Sequence, residues 1–432
     1  MFYLLLLTFA FMNILMITNT YLPFLGGVER SIQTFSDEYR KAGHQVVIIA
    51  PADDNAQCNE TNIIRVPALK HFNGTDFSVQ LPLPGVLISA LKNFTPHIIH
   101  SHHPYLMGDS ALRLGAHYEI PVVFTFHTFY EMYTHYIPGD SPAMKRFVNA
   151  LAVGYANMCE CVIAPSHFVA SEIKKRGVEA HIEVIPTGIH LSKFKNGDGE
   201  SLRLRCKIPP NAFVVGFVSR LAPEKNIEFL SGAVKRFLLS EPRAHFLLAG
   251  TGQLRDYFCS QFEEPVLRSR FHYLDTLCGQ ELVNAYHAMD FFVFASHTET
   301  QGLVITEALA SGVPVVSLRT GVITEIIKNG FNGYLVYDES GFIDALKRAA
   351  CLSPRQLSRL HRHASQSVCG FHRKVCADRA LKIYEKLLIR NFTMRGNYDN
   401  AWNKTARTLK AEMDIVANMT RALGKTFMGD ES

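Results

Sequence analysis

The sequence predicts an α/β protein whose strands lie in parallel sheets with helices on both faces. Three observations carry this prediction. Short continuous apolar runs recur along the chain, as expected of strands buried on both faces. They alternate with amphipathic stretches of helical period, the pattern of repeated βα units. At 432 residues, 47% of them hydrophobic, the chain has room for about two or three domains with full-sized cores.

Taken in order, Phe2 to Phe11 is apolar and uncharged. It lacks the basic start and small-residue cleavage site of a signal peptide and is too short to span a bilayer alone. Asn13 to Ile17 already reads as the first buried strand, so Met12 is the expected start of the folded chain. Gly26 and Gly27 follow at a strand-to-helix turn, with a helix beginning near Val28. Two glycines there let backbone approach a ligand, and the helix start directs N–H groups at an anion. The third glycine of a dinucleotide fingerprint is missing, and a plain tight turn fits equally well. Further strands are expected at Gln45–Ala50, Ile63–Val66 and His97–His100, with a polar loop at Asp53–Glu60 and a helix from Leu81 to about Phe94. His100, His102 and His103 lie close together, but no further ligand at a supporting spacing is visible, so no metal site is expected. Pro121 to His127 is an apolar strand ending in a histidine, followed by the aromatic run Thr128 to Tyr136. Val162–Ser166 and Ile182–Gly188 close this half, and a polar, glycine-containing linker follows within 191–212.

The second half repeats the pattern. Phe213–Val218 is a strand, with Arg220 at its end and Lys225 just before a helix from Ile227. Two cations near a helix start can clamp a diphosphate, although a capped surface turn with solvated charges fits the bare pattern as well. Strand 245–249 leads into Gly250-Thr251-Gly252, and Phe271–Asp275 is the next strand. Phe291–Ala295 runs into Ser296-His297-Thr298-Glu299-Thr300-Gln301-Gly302-Leu303-Val304-Ile305, then a short helix at Thr306–Ala310, which includes Glu307, and a strand at Val313–Val316. One acid, Glu299, falls in the loop and the other, Glu307, on the helix. Ligands in open α/β sheets lie beyond the carboxyl ends of the strands, which is where both acids fall. Alone, the pair fits two solvated acids at a helix start just as well. Helices are expected at Phe342–Ala350, Pro354–Val368 and Val375–Arg390, and another within Leu409–Leu423 of a polar tail.

Charge is uneven. Met1 to His190 carries 12 basic and 15 acidic residues, and the remainder 32 and 24. The stretch Arg355–Arg390 holds nine basic residues against Asp378 and Glu385. It is either an attraction site for anionic lipid or a solvated helix face. The modest net charge of +5 does not point to nucleic acid. Nine scattered cysteines fit a reducing cytosol, and Cys159-Glu160-Cys161 is too tight for a usual zinc pair.

Four segments together resemble the retaining glycosyltransferases of family four: the Gly26-Gly27 turn, the Arg220–Lys225 run, the Glu299–Glu307 stretch, and the closing elements Thr320–Ile327 and Asn329–Val336. The form Glu299-Thr300-Gln301-Gly302 and the run His127-Thr128-Phe129-Tyr130-Glu131-Met132-Tyr133-Thr134-His135-Tyr136 are most similar to the bacterial 1,2-diacylglycerol 3-glucosyltransferase branch. The likeness covers about 12–390.

It implies the GT-B fold: Rossmann-like domains at 12–190 for the acceptor and 213–370 for the nucleotide-sugar, facing across a cleft, with helix 371–390 returning to the first domain. Residues 391–432 receive no role. It also implies transfer of a hexose, glucose from UDP-glucose, to a membrane lipid such as 1,2-diacylglycerol at the cytoplasmic face of the membrane. His127, Glu299, Arg220 and Lys225 are the implied catalytic residues. Gly26, Gly27, Gly250, Gly252, Thr300, Gln301, Gly302, Leu303 and Glu307 are implied for the donor, and Tyr130, Glu131, Tyr133 and Tyr136 for the acceptor side. No cofactor or metal is implied. Asp275 stands where that family usually has glycine. The alternatives are the same donor chemistry with a polysaccharide or small-sugar acceptor, a nucleotide-sugar epimerase, and a non-catalytic nucleotide-sugar binder.

Overall fold

The computed structural model describes residues 11–24, 26–53, 60–69, 79–80, 84–136, 139–394 and 401–427. The expectations for most of the apolar N-terminus, the centre of the polar loop after Asp53 and the helix start at 81–83 lie outside these residues. The chain divides into two compact units, Met1–Gly188 with Lys374–Ser432, and Ile189–Arg373.

In the first unit the order is β1 (Asn13–Ile17), α1 (Gly27–Lys41), β2 (Gln45–Pro51), β3 (Ile63–Val66), the small pair β4 (Ala68–Leu69) and β5 (Val79–Gln80), α2 (Pro84–Ala90), β6 (Ile98–Ser101), α3 (Met107–Tyr118), β7 (Val122–Thr125), α4 (Pro142–Asn157), β8 (Cys161–Ala164), α5 (His167–Lys175) and β9 (Ile182–Val184). Seven strands form a parallel sheet in the order β3-β2-β1-β6-β7-β8-β9. The order reverses between β1 and β6, where Ile14 faces Ile98 and Ile17 faces Ser101. Alternate residues of β1 serve opposite faces, as the two-residue strand period demands. Leu15 and Ile17 join one core with Phe124, Phe126 and Tyr155. Ile14 and Met16 join another with Tyr39 and Val123.

Two late helices complete this unit. Helix α15 (Arg373–Met394) buries Cys376, Ala380, Tyr384 and Leu388 in the second of these cores. Its Lys374, Lys382, Lys386 and Arg390 remain exposed, so this part of the basic stretch is the helix's solvent side. Helix α16 (Ala401–Phe427) packs on α3 and α4 and buries Ile415 in the first core. Arg113 on α3 pairs with Glu412 at 2.7 Å.

The second unit runs α6 (Gly199–Arg205), β10 (Phe213–Val218), α7 (Ile227–Ser240), β11 (Ala244–Ala249), α8 (Arg255–Ser260), α9 (Pro265–Arg268), β12 (Phe271–Tyr273), α10 (Gly279–His287), β13 (Phe291–Phe294), α11 (Leu303–Ala310), β14 (Val315–Leu318), α12 (Ile323–Ile326), β15 (Gly333–Val336), α13 (Glu339–Ala350) and α14 (Pro354–Ser367). Its six parallel strands are ordered β12-β11-β10-β13-β14-β15, with the reversal between β10 and β13. Residues 191–212, expected as a linker, belong to this unit. Arg203 on α6 holds them there by pairing with Asp290 at 3.0 Å and donating to the Ala288 carbonyl at 2.8 Å. A polar composition had concealed a helix anchored by a partly buried ion pair.

Candidate active site

In an open parallel sheet the loops on either side of the order reversal part company, and ligands occupy the crevice between them. In the second unit those loops follow β10 and β13. Arg220 and Lys225 come from the first, and Glu299 from the second. Lys225 Nζ bonds Glu299 Oε1, both side chains being largely buried. Arg220 is 43% exposed and pairs with the buried carboxylate of Glu224. The expected pair of bare cations is therefore two ion pairs, and only Lys225 is joined to the Glu299 loop by one of them.

The two loops are tied together by backbone-directed bonds. Ser296 donates its hydroxyl to the Glu224 carbonyl at 2.9 Å, and Asn226 Nδ2 donates to the Ala295 carbonyl at 3.2 Å. Asn226 adopts the left-handed conformation at φ 55°, ending the turn Pro223–Lys225 and opening α7. Thr300 to Leu303 form the turn into α11. Gly302 caps that helix at φ 71°, a conformation that favours glycine, and Gln301 is buried. Helix α11 begins at Leu303, three residues earlier than the apolar pattern alone indicated.

Glu307 is buried on α11 and accepts a hydrogen bond from the Tyr286 hydroxyl at 2.9 Å. Tyr286 escaped the sequence reading. It lies on the apolar side of α10 among ordinary core residues, and its partner is 21 positions away. No local signal marks it.

Gly250 and Gly252 let the loop after β11 lie directly on the loop after β10. A Cβ at Gly250 would stand 1.9 Å from the Ser219 carbonyl oxygen, and one at Gly252 would stand 2.4 Å from that of Leu221. Their φ values, 127° and 154°, also favour glycine. Gly250→Ala should cost about 3 kcal/mol of stability, from strain and overlap together. Urea unfolding showing no loss would contradict this placement. Asp275, where the resemblance leads one to expect glycine, adopts φ 55° and accepts the Thr276 N–H at 2.7 Å. Aspartate is among the few residues that tolerate this conformation.

In the first unit the loops at the reversal follow β1 and β6. Gly26 precedes α1, and its N–H donates to Glu29 Oε2 at 2.8 Å. A Cβ there would lie 2.6 Å from that oxygen, so a larger residue would make the Glu29 side chain shift. The helix start expected to meet a diphosphate is thus already answered at Gly26 by a buried carboxylate. Gly27 is the first residue of α1.

His127 lies just beyond β7, partly buried, with Nε2 2.9 Å from His102 Nδ1. His100 on β6 bonds Thr125 at 2.6 Å through Nε2 and Tyr384 of α15 at 2.6 Å through Nδ1, and Tyr384 accepts from Tyr39 at 3.1 Å. His103 Nδ1 accepts the Asn19 N–H at 3.1 Å. Burial pushes the imidazoles of His100 and His103 down to about 3. Burial, then the neighbouring histidines, lowers His102 and His127 well below the usual range. All four rings are therefore neutral near pH 7. His102 Nε2 is buried with no hydrogen-bond partner. With both rings neutral, one of His102 Nδ1 and His127 Nε2 donates to the other. Among the described residues no group of three or more histidine, cysteine and carboxylate side chains is arranged to hold a metal ion.

The acceptor residues divide. Tyr130 and Glu131 are absorbed by the fold: Tyr130 is buried beside Phe126 and Tyr105, and Glu131 pairs with Arg176. Tyr133 and Tyr136 remain partly exposed and stack 6.3 Å apart, next to the exposed Met132.

With this geometry in hand, residues 25–193 match the family described as Glycosyltransferase Family 4, and residues 212–351 match Glycosyl transferases group 1. Alpha-monoglucosyldiacylglycerol synthase of Streptococcus pneumoniae is 30% identical over 349 residues, 79% of each chain. The chain belongs to glycosyltransferase family 4. It is a hexosyltransferase, and its sequence is similar to the diacylglycerol-glucosylating branch. The GDP-mannose-dependent alpha-mannosyltransferase of Corynebacterium glutamicum is 28% identical, covering 78% of this chain and 80% of its own. The structure of Anabaena HepE in complex with UDP matches 87% of this chain and all of that one, with a TM-score of 0.69 at 20% identity. The fold of this family-four enzyme is accordingly GT-B, an α/β architecture of two parallel-sheet domains. Among the described residues no helix is long and apolar enough to cross a membrane.

Proposed function

We propose that the enzyme transfers glucose from UDP-glucose to a membrane lipid of the 1,2-diacylglycerol type, with retention at the anomeric carbon. The observation that carries the donor half is the pairing of Lys225 with Glu299 between the loops that follow the two strands at the sheet reversal, together with the buried Glu307–Tyr286 pair on the helices α11 and α10. The acceptor half is supported by the likeness to alpha-monoglucosyldiacylglycerol synthase and by the partly exposed Tyr133–Tyr136 stack.

In the reaction the bond from the anomeric carbon to the β-phosphate oxygen breaks. A new bond forms from that carbon to the acceptor oxygen on the same face, and the acceptor proton passes to the departing phosphate. Negative charge grows on the diphosphate, and Lys225 and Arg220 are the groups assigned to meet it. In this reading no metal is required. Glu299 serves the transferred sugar, Glu307 the ribose hydroxyls, and His127 touches the transferred sugar. The enzyme works peripherally at the cytoplasmic face of the membrane.

Two kinetic outcomes test the assignment. Glu307→Ala and, more weakly, Tyr286→Phe should raise the donor KM, the former by about ten- to hundredfold, with kcat little changed. Glu299→Ala should instead lower kcat. The reverse pattern would sink both roles. Nucleotide release from UDP-glucose, with and without diacylglycerol in anionic mixed micelles, tests the substrates themselves. Lipid-dependent release with a glycolipid product that mild alkali deacylates to a glucosylglycerol is expected. Turnover only with GDP-mannose, or only with soluble sugars, would replace the donor or the acceptor.

A further inference from the structure

Helix α16 presents a row of large apolar side chains to solvent. Leu409, Met413, Val416, Met419 and Leu423 are each between 45% and 64% exposed. Their spacing places them along one side of the helix. The opposite side is fixed: Ile415, Asn418 and Ala422 are buried, and Asn418 donates to the Leu151 carbonyl at 3.1 Å. Glu412, at the row's own margin, is half-buried and pairs with Arg113 of α3. The row is thus held outward by packing on α3 and α4 and cannot fold in to cover itself. Continuous exposed apolar rows of this kind are uncommon on soluble surfaces and mark contact sites.

Charge identifies the contact. On the helical wheel Lys410 and Arg421 follow the apolar row on one side, with Lys425 and Asp414 beyond them, Asp414 lying 3.7 Å from Lys410, while Glu412 on the row's other margin is neutralised by Arg113. Large apolar residues beside a lysine- and arginine-bearing flank are the pattern of a helix lying in a lipid–water interface, attracted by anionic headgroups. Position agrees. Thr426 near the end of α16 accepts from Arg146 at the start of α4, while Asn418 meets the middle of α4, so the two helices are antiparallel. The C-terminal end of the row therefore lies beside the start of α4, the helix that follows the Tyr130–Tyr136 segment.

We propose that α16 is the surface by which the enzyme docks on an anionic lipid bilayer, its apolar row sunk among the headgroups and its basic flank against their phosphates. This deepens the lipid-acceptor reading and rests on it for its purpose, though not for its physics.

The test uses the full chain and vesicles of phosphatidylcholine containing phosphatidylglycerol. The double variant Met413→Asp, Val416→Asp alters two outward side chains, and its thermal unfolding should match wild type. Its partitioning onto vesicles should fall by about 100-fold. A triple variant, Lys410→Glu, Arg421→Glu, Lys425→Glu, should lose most of the dependence on phosphatidylglycerol. Turnover on water-soluble dihexanoylglycerol should stay within about twofold of wild type in both. Undiminished flotation of the double variant would overturn the proposal. So would a wild-type dimer that this variant dissolves without any change in lipid binding. Wild-type vesicle binding that the variants abolish, with no glucosylation of either long- or short-chain diacylglycerol, would support the docking surface and discard the acceptor assignment instead.

Discussion

Lys225→Ala should lower kcat by about 10²–10³ while leaving the donor KM within about fivefold. The lysine is mostly buried and paired with Glu299, so its charge acts where water screens little. The developing charge on the leaving diphosphate is felt most strongly in the transition state, which is why the loss falls on kcat. Removing the cation also leaves Glu299 without its partner, so unfolding must be measured beside turnover. Arg220→Ala should cost less. Arg220 is 43% exposed and already committed to Glu224. Lys225→Arg should recover part of the rate, since charge is kept and only geometry changes. A Lys225→Ala enzyme within about threefold of wild type in single-turnover sugar transfer would remove this residue from the mechanism.

Acid should destabilise the first unit well before its carboxylates are protonated. His100 and His103 are buried and neutral, with their proton affinity pushed down to about 3. In the unfolded chain each would take up a proton near pH 6.5. Below that value the unfolded state binds more protons than the folded one, so stability falls as pH falls. The decline continues until the folded rings protonate near pH 3. Each ring contributes about 1.4 kcal/mol per pH unit across this window, or about 2 kcal/mol at pH 5. Above pH 6.5 both states are neutral and the effect is absent. Urea unfolding at pH 7 and pH 5 measures it, and the double variant His100→Gln, His103→Gln should reduce the slope, with His102 and His127 sustaining the remainder. An equal slope in the variant would place the acid sensitivity elsewhere. His100 bonds Tyr384, so the same titration should loosen α15 from the sheet. Hydrogen exchange in Arg373–Met394 would report that.

The strands were legible because parallel strands are buried on both faces. Asn13–Ile17, Ile63–Val66 and Phe213–Val218 stand where their apolar runs place them. The run 121–127 was read as a strand to its histidine, but pairing with β8 stops at Thr125. Phe126 still donates its N–H to the Ile163 carbonyl of β8 at 2.9 Å, and His127 is the first residue past the sheet, where its ring meets His102. The glycines at 250, 252 and 302 were visible as turn punctuation, yet the reason for each lies in a neighbour distant in sequence or in a left-handed backbone.

By itself the sequence determined the α/β class, nearly every strand, and the residue types that gather at the strand ends, because these follow from burial period and turn chemistry within a few neighbouring positions. Only the tertiary structure decided which charges meet. Lys225 finds Glu299 across 74 positions, Tyr286 finds Glu307 across 21, and Tyr384 finds His100 across 284. Such pairs depend on strand order and on which face each helix covers, and no local pattern encodes either. The role of α16 was hidden for the same reason. Its apolar residues predicted a helix, but only packing against α3 and α4 showed which of them were buried and which were left facing water.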